Sequence, residues 1–308
     1  MADILLEVTD LHKEFEDTVA VSGISFRIYK GESVGIVGES GCGKSTTARV
    51  VSGLEKPTAG KVLFQGKPYV LRPGKGRCAI NMVFQDPIAS FDSRMTVFAS
   101  LYEALSHTKK ISRQDAVPVI ENALQTVELP VSYKDRRISQ LSGGECQRIG
   151  IARAVLTEPE LLICDEATSA LDVSVQAQII HLLSELKEKN HYTYLFISHD
   201  LALVASMCNR VLVMYRGKIV EEGAVESVIH NPIHPYTKLL LSCGDAFALD
   251  ENGQTTALPE VPEQDQAAIG VCPFYAFCKE RKVCCESVAP EMKDVKDGHR
   301  VACHLVDK

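Results

Sequence analysis

Short apolar runs alternate with longer amphipathic stretches along most of the chain. Val34–Val37, Leu161–Cys164, Tyr194–Ile197 and Val211–Met214 are continuous apolar runs of strand length, as expected of strands covered on both faces. Gln114–Val127, Gly144–Leu156 and Val173–Lys189 have helical length and spacing. Strands alternating with helices predict an α/β fold with a mostly parallel central sheet. Ile24–Tyr29 instead alternates with period two, which predicts a half-exposed antiparallel strand. Asn231-Pro232 and His234-Pro235 break the chain ahead of a short helix near Tyr236–Leu241. From about Cys243 to Gly270 the chain is polar, acidic and Pro-containing, which reads as a linker. The expected division is therefore a first domain over 1–242, an acidic linker over 243–270 and a Cys-rich extension over 271–308.

Composition narrows the classes. The 308 residues are 45% hydrophobic and 24% charged, ordinary for a globular protein with a real core. No apolar run reaches the roughly 18–20 residues of a membrane helix, and the acidic start without a basic flank does not read as a signal peptide. A cytosolic chain is expected. The net charge of −7 argues against a broad nucleic-acid surface. Much of it lies between Lys238 and Lys279, where there is no Lys or Arg but Asp245, Asp250, Glu251, Glu260, Glu263 and Asp265 are acidic.

The candidate chemistry begins at Gly38-Glu39-Ser40-Gly41-Cys42-Gly43-Lys44-Ser45, a full G-x-x-x-x-G-K-[ST] run between an apolar strand and a helical stretch. Gly38, Gly41 and Gly43 let backbone N–H groups wrap a phosphate chain, and the helix that follows adds partial positive charge. Lys44 is expected to reach the β- and γ-phosphates and Ser45 to ligate Mg²⁺. Leu161–Cys164 runs into Asp165 and Glu166. Paired acids at a strand end are costly unless a cation or a reaction uses them. Asp165 suits Mg²⁺, held directly or through water, and Glu166 suits polarising a water.

Leu141-Ser142-Gly143-Gly144-Glu145, with Gln147 and Arg148, lies upstream of that acidic pair and closely resembles the signature of ABC ATPases. Gln85 in Val83-Phe84-Gln85-Asp86-Pro87, His199 in Ser198-His199-Asp200, and Ser169-Ala170-Leu171-Asp172 agree in order and spacing. The resemblance covers about residues 4–230. It implies a P-loop cassette: a RecA-like core with a mostly parallel sheet, an antiparallel β-subdomain and a helical signature subdomain. It also implies catalysis in trans, with Ser142, Gly143 and Gly144 of one chain closing on ATP held by Gly38, Ser40, Gly41, Gly43, Lys44, Ser45 and Thr46 of another. Glu166 would then be the general base and His199 would hold the γ-phosphate and attacking water. Gln85 would touch Mg²⁺ or water, and Phe15 would stack on adenine, although a core Phe reads equally naturally there.

The chain has one phosphate loop and no fused membrane domain, which favours an importer-type subunit. The segment Asp86–Val97, the element Asn231-Pro232-Ile233-His234-Pro235-Tyr236-Thr237 and the Cys-rich tail are similar to the oligopeptide/dipeptide/nickel importer ATPases. Phe91, Asp92 and Ser93 stand where that group usually has Leu-Asn-Pro, and Glu145 where many relatives have Gln. The resemblance implies two permease chains, a second ATPase chain (different or identical), an extracellular binding protein, and a peripheral place at the cytoplasmic face of the membrane. A nickel or metal-chelate importer ATPase, and a soluble non-transport ABC ATPase, are the alternative readings.

Eleven cysteines are many for such a chain. Six are scattered singly, as small buried residues are. Cys272, Cys278, Cys284, Cys285 and Cys303 crowd the tail, which in a reducing compartment suggests metal more than disulfides. The gaps are wider than zinc ribbons use. Some relatives carry a 4Fe–4S cluster on a similar extension, which implies Cys272, Cys278, Cys285 and Cys303 as ligands with Cys284 as an alternative. Free thiols in an apolar tail remain the competing expectation.

Overall fold

The computed structural model describes residues 3–69, 79–168, 171–244 and 271–306. Strands β1 (Ile4–Phe15) and β2 (Thr18–Tyr29) form an antiparallel pair. In β2 the side chains of Val21, Ile24, Phe26 and Ile28 are buried between exposed or half-buried neighbours. That is the period-two pattern legible over Ile24–Tyr29. After β3 (Ser33–Val37) and α1 (Lys44–Val51), β4 (Ala59–Phe64) pairs with β1, and the short β5 (Lys67–Pro68) completes this antiparallel sheet.

The second sheet begins at β6 (Ile80–Val83). Three helices follow: α2 (Val97–Thr108), α3 (Arg113–Thr126) and α4 (Gly143–Val155). Each starts where a hydroxyl accepts an early backbone N–H: Thr96 for α2, Ser112 for α3 and Ser142 for α4. Buried Val97, Leu101 and Leu105 of α2 meet Ala116, Ile120 and Leu124 of α3 and Cys146 and Ile149 of α4. Their three- and four-residue spacing gives each helix one apolar face.

The chain continues through β7 (Leu161–Asp165), α5 (Val173–Asn190), β8 (Thr193–Ser198), α6 (Leu201–Met207), β9 (Arg210–Tyr215), β10 (Lys218–Ala224), α7 (Val225–His230) and α8 (Pro235–Gly244). Beyond residue 270 it forms the hairpin β11 (Lys293–Lys296) and β12 (His299–Val301), followed by a 3₁₀ turn at His304–Val306. The order across the sheet is β11-β12-β10-β9-β3-β8-β7-β6. The pairs β3–β8, β3–β9, β7–β8 and β6–β7 are parallel, and β9–β10, β10–β12 and β11–β12 are antiparallel. Every residue of β3, β7 and β8 is buried. Alternate side chains explain it: Leu161 and Ile163 pack toward the antiparallel sheet and α1, while Leu162 and Cys164 pack toward the helical side. Both faces are covered, so no polar alternation survives.

Two features differ from the expectation. Helix α8 runs on through Cys243 and Gly244, so the helical chain reaches into the stretch read as linker; residues 245–270 lie outside the described residues. The C-terminal extension is also no separate appendage, because β12 pairs with β10 and continues the central sheet. Buried acids make that junction. Glu221 Oε1 accepts from Ile233 N–H at 2.9 Å and from His299 Nε2 at 2.7 Å, and its Oε2 accepts from His234 N–H at 2.9 Å. Glu222 Oε1 accepts from Arg300 Nη1 at 2.7 Å. Among the described residues no helix is long and apolar enough to cross a membrane.

Candidate nucleotide site

The Gly-rich loop leaves the carboxyl end of β3, which lies between β8 and β9, where parallel sheets place their ligands. Two glycines make the loop possible. A Cβ at Gly38 would lie 2.1 Å from Met214 O, and one at Gly43 2.2 Å from Ala20 O. Gly43 also has φ 105° and begins α1. Lys44 is 3% exposed, and its Nζ donates to Gly38 O and Glu39 O, both at 2.8 Å. Ser45 Oγ donates to Asp165 Oδ1 at 2.8 Å. Burial pushes the Asp165 carboxyl above the usual carboxylate range, and Ser45 partly opposes it.

Glu166 gathers the remaining groups. Its carboxylate lies 3.9 Å from Lys44 Nζ and 3.8 Å from His199 Nδ1, and accepts from Gln85 Nε2 at 2.9 Å. Its backbone has φ 44°, a left-handed conformation costly outside glycine. Beside it a cavity of about 130 Å³ is lined by Glu166, Thr168, Gln176, Ser198, His199 and Asp200, among others. The structure thus brings Lys44, Ser45, Gln85, Asp165, Glu166 and His199 to one place. Ser40 and Gly41 are exposed at the loop's crest, and Thr46 is half-buried in α1.

Phe15 is 42% exposed at the end of β1, with Lys13 Nζ 4.5 Å from its ring centre. That exposure removes the core-Phe reading and leaves an open aromatic face. Ser142, Gly143 and Gly144 are elsewhere. Ser142 caps α4 in a reciprocal capping box with Glu145. Glu145 Oε1 also accepts from Tyr133 Oη at 2.6 Å, which holds the Glu145 carboxyl below its usual range. No hydrogen bond described for Ser142 or Glu145 reaches the Gly-rich loop of the same chain. Tyr133 was not legible as a site residue; a lone Tyr in a short 3₁₀ segment carries no local signal. Of the matching loop before α5, Ser169 and Ala170 lie outside the described residues.

Comparison with known proteins settles the lineage. The ABC transporter family pattern matches residues 21–169, and the oligopeptide/dipeptide transporter C-terminal region matches residues 220–285. The oligopeptide transport ATP-binding protein OppF of Escherichia coli is 41% identical, over 99% of this chain and 97% of its own. The chain belongs to the ABC transporter family, in its oligopeptide/dipeptide branch. The oligopeptide transport ATP-binding protein AppF of Bacillus subtilis is also 41% identical, over 98% of both chains. Among solved ABC structures, cbiO1 of Clostridium perfringens matches with TM-score 0.63 at 30% identity, covering 74% of this chain and 92% of that one. The dimeric post-hydrolysis state of the cassette MJ0796, bound to ADP and phosphate, matches with TM-score 0.64 at 25% identity, covering 72% and 99%. As a member of this family the chain is an ABC ATPase, for which ATP and Mg²⁺ are the expected ligands.

The tail of this ABC subunit is less simple than its spacing suggested. Cys272 N–H donates to Cys285 O at 3.2 Å. The thiols of Cys272, Cys278 and Cys285 lie close enough to add to the rise that burial gives Cys303, which stands at about 11. Cys284 is exposed. Yet among the described residues no set of three or more His, Cys, Asp or Glu side chains is placed to hold a metal ion. The expected iron–sulfur ligands are therefore neighbours that, as arranged, do not form a metal site. Cys42, Cys146, Cys164 and Cys208 are buried free thiols, as their scatter implied, while Cys78 lies outside the described residues.

Proposed function

We propose that this chain is the ATP-hydrolysing subunit that energises import of oligopeptides or dipeptides through separate permease chains. The observation that carries the reading is the near-full-length similarity to oligopeptide transport ATP-binding proteins, which runs through the cassette and the C-terminal region alike. The subunit works at the cytoplasmic face of the membrane, paired with a second ATPase chain and fed by an extracellular binding protein.

The site's geometry supports distinct roles. Backbone N–H groups of the Ser40–Thr46 stretch and Lys44 Nζ hold the phosphates, and Phe15 offers its exposed ring to adenine. Ser45, Asp165 and Gln85 supply oxygens suited to Mg²⁺, which when bound offsets charge on the β- and γ-phosphate oxygens. Glu166 takes a proton from a water while that water's oxygen bonds to the γ-phosphorus. The bond from phosphorus to the bridging oxygen breaks, and ADP and phosphate leave. His199 orients the water and γ-phosphate. Ser142, Gly143 and Gly144 of a second chain present a helix N-terminus to the γ-phosphate, in keeping with the lack of a described hydrogen bond from Ser142 to the loop of its own chain.

The iron–sulfur reading of the tail rests on a thiolate donor set and the nearness of Cys272, Cys278, Cys285 and Cys303, and their present arrangement speaks against it. Anaerobically prepared protein containing iron and acid-labile sulfide would establish it; protein lacking both would remove it.

Affinity purification of the chain from its native membranes in mild detergent tests the main reading. Co-purifying permease chains and a second ATPase, with a binding protein that holds peptides, are the expected result. A binding protein that holds nickel or a metal chelate would transfer the subunit to the metal importers. Recovery from the soluble fraction alone would overturn the transporter role.

A further inference from the structure

The phosphate loop is tied to a part of the chain far from it in sequence. Glu39 N–H donates to Tyr236 Oη at 3.0 Å. Tyr236 is fully buried in α8, its ring centre 4.5 Å from that of Tyr215 and 5.7 Å from that of Phe274 in the Cys-rich extension. Phe274 packs edge-on to Tyr215 at 5.3 Å and against His234 at 5.8 Å. Its carbonyl accepts from Cys278 N–H at 3.0 Å. Tyr236 N–H donates to His234 Nδ1 at 3.0 Å, and His234 N–H donates to Glu221, which also holds His299 of the terminal hairpin.

The position of Glu39 N–H gives this contact its consequence. It belongs to the same planar peptide unit as the carbonyl of Gly38. That carbonyl accepts from Lys44 Nζ at 2.8 Å. One peptide plane is therefore gripped on one edge by Tyr236 Oη and on the other by the lysine expected to bind phosphate. Rotation of the plane would move both partners together.

We propose that Tyr236 is a positioning residue for ATP: it fixes the Gly38–Glu39 peptide and through it Lys44, with Phe274 making the C-terminal extension part of that support. The proposal rests on the reading of residues 38–45 as the phosphate-holding loop. It gives the extension a part in nucleotide binding that needs no metal.

The test uses the full chain with its partners. Tyr236→Phe keeps the ring and removes the acceptor. Loss of one hydrogen bond to a half-buried N–H is expected to raise KM for ATP about 2- to 10-fold, with a smaller change in kcat. Amide exchange over residues 38–43 should speed up in the same variant. A purely structural Tyr236 would lower the unfolding midpoint while KM and loop exchange stayed native, and that result overturns the proposal. Phe274→Leu, which keeps apolar volume, should move KM in the same direction by less; an unmoved KM removes the extension from the support. Lys44→Ala separates the two levels. If it leaves ATP binding intact, the loop reading has failed; if it abolishes binding while Tyr236→Phe changes nothing, only the positioning role has failed.

Discussion

Glu166 is the residue on which the site turns, and its backbone records the cost. A φ of 44° in a non-glycine residue is sparsely populated, at a cost of about 1–3 kcal/mol. It sets one carboxylate among Lys44, Gln85 and His199. The neighbouring Asp165 carries a cost of a different kind. Its pKa is raised by burial, so its charged form opposes folding at neutral pH until a cation offsets it. Asp165→Asn, which keeps an oxygen for Ser45 Oγ, is expected to raise the unfolding midpoint at pH 7 without nucleotide and to abolish Mg²⁺-dependent hydrolysis. Calorimetry and an ATPase assay check the pair; a lowered midpoint would contradict it. At this scale much was legible. The loop glycines, Lys44, Ser45 and the acid pair announce themselves by spacing, because a phosphate chain tolerates few geometries. Tyr133 was silent, and Tyr236 showed only as part of the Asn231–Thr237 element, because tertiary packing makes their contacts with Glu145 and with Glu39 N–H.

The helices α3, α4 and α5 were readable from their spacing, and Ser112, Ser142 and Asp172 cap their first turns; α2, capped by Thr96, was not read from the sequence. The start of α8 was only half readable. The Asn-Pro and His-Pro breaks predicted a short helix, but the use of His234 depends on its partners. Burial lowers His234 to about 4, and its Nδ1 accepts from Tyr236 N–H, so the ring is neutral in the folded protein. The unfolded chain takes up that proton near pH 6.5, so stability from this group is complete above about 6.5 and is lost as pH falls toward 4. The shift corresponds to roughly 3 kcal/mol. Denaturant unfolding at stepped pH should show this slope. His234→Asn, whose amide oxygen can take the place of Nδ1, should flatten it, and an unchanged slope would count against the neutral ring.

Across the whole molecule, the parallel strands β3, β7, β8 and β9 followed from apolar runs, since strands buried on both faces leave an unmistakable pattern. The edge strand β6 and the helices α2, α6 and α7 were not read. The C-terminal extension did not follow either. Lys218–Ala224 contains Glu221 and Glu222 and looks like an exposed edge, yet both acids are buried where the extension joins the sheet. Their compensation comes from His299 and Arg300, nearly eighty residues later, beyond the reach of any local pattern. His299→Leu leaves the buried Glu221 carboxylate with one hydrogen-bond partner fewer, and is expected to cost about 1.5–3 kcal/mol. Urea unfolding would show the loss; a change under 1 kcal/mol would contradict the buried pair as the extension's anchor.

The central claim is that chemistry at Glu166 drives peptide movement, and ATP-dependent uptake of a labelled oligopeptide into native membrane vesicles tests it most directly. Vesicles carrying the native chain should take up peptide only with ATP, while those carrying Glu166→Gln should bind ATP normally and lose uptake by about 100-fold or more. Undiminished uptake with Glu166→Gln, or uptake indifferent to ATP, would contradict it.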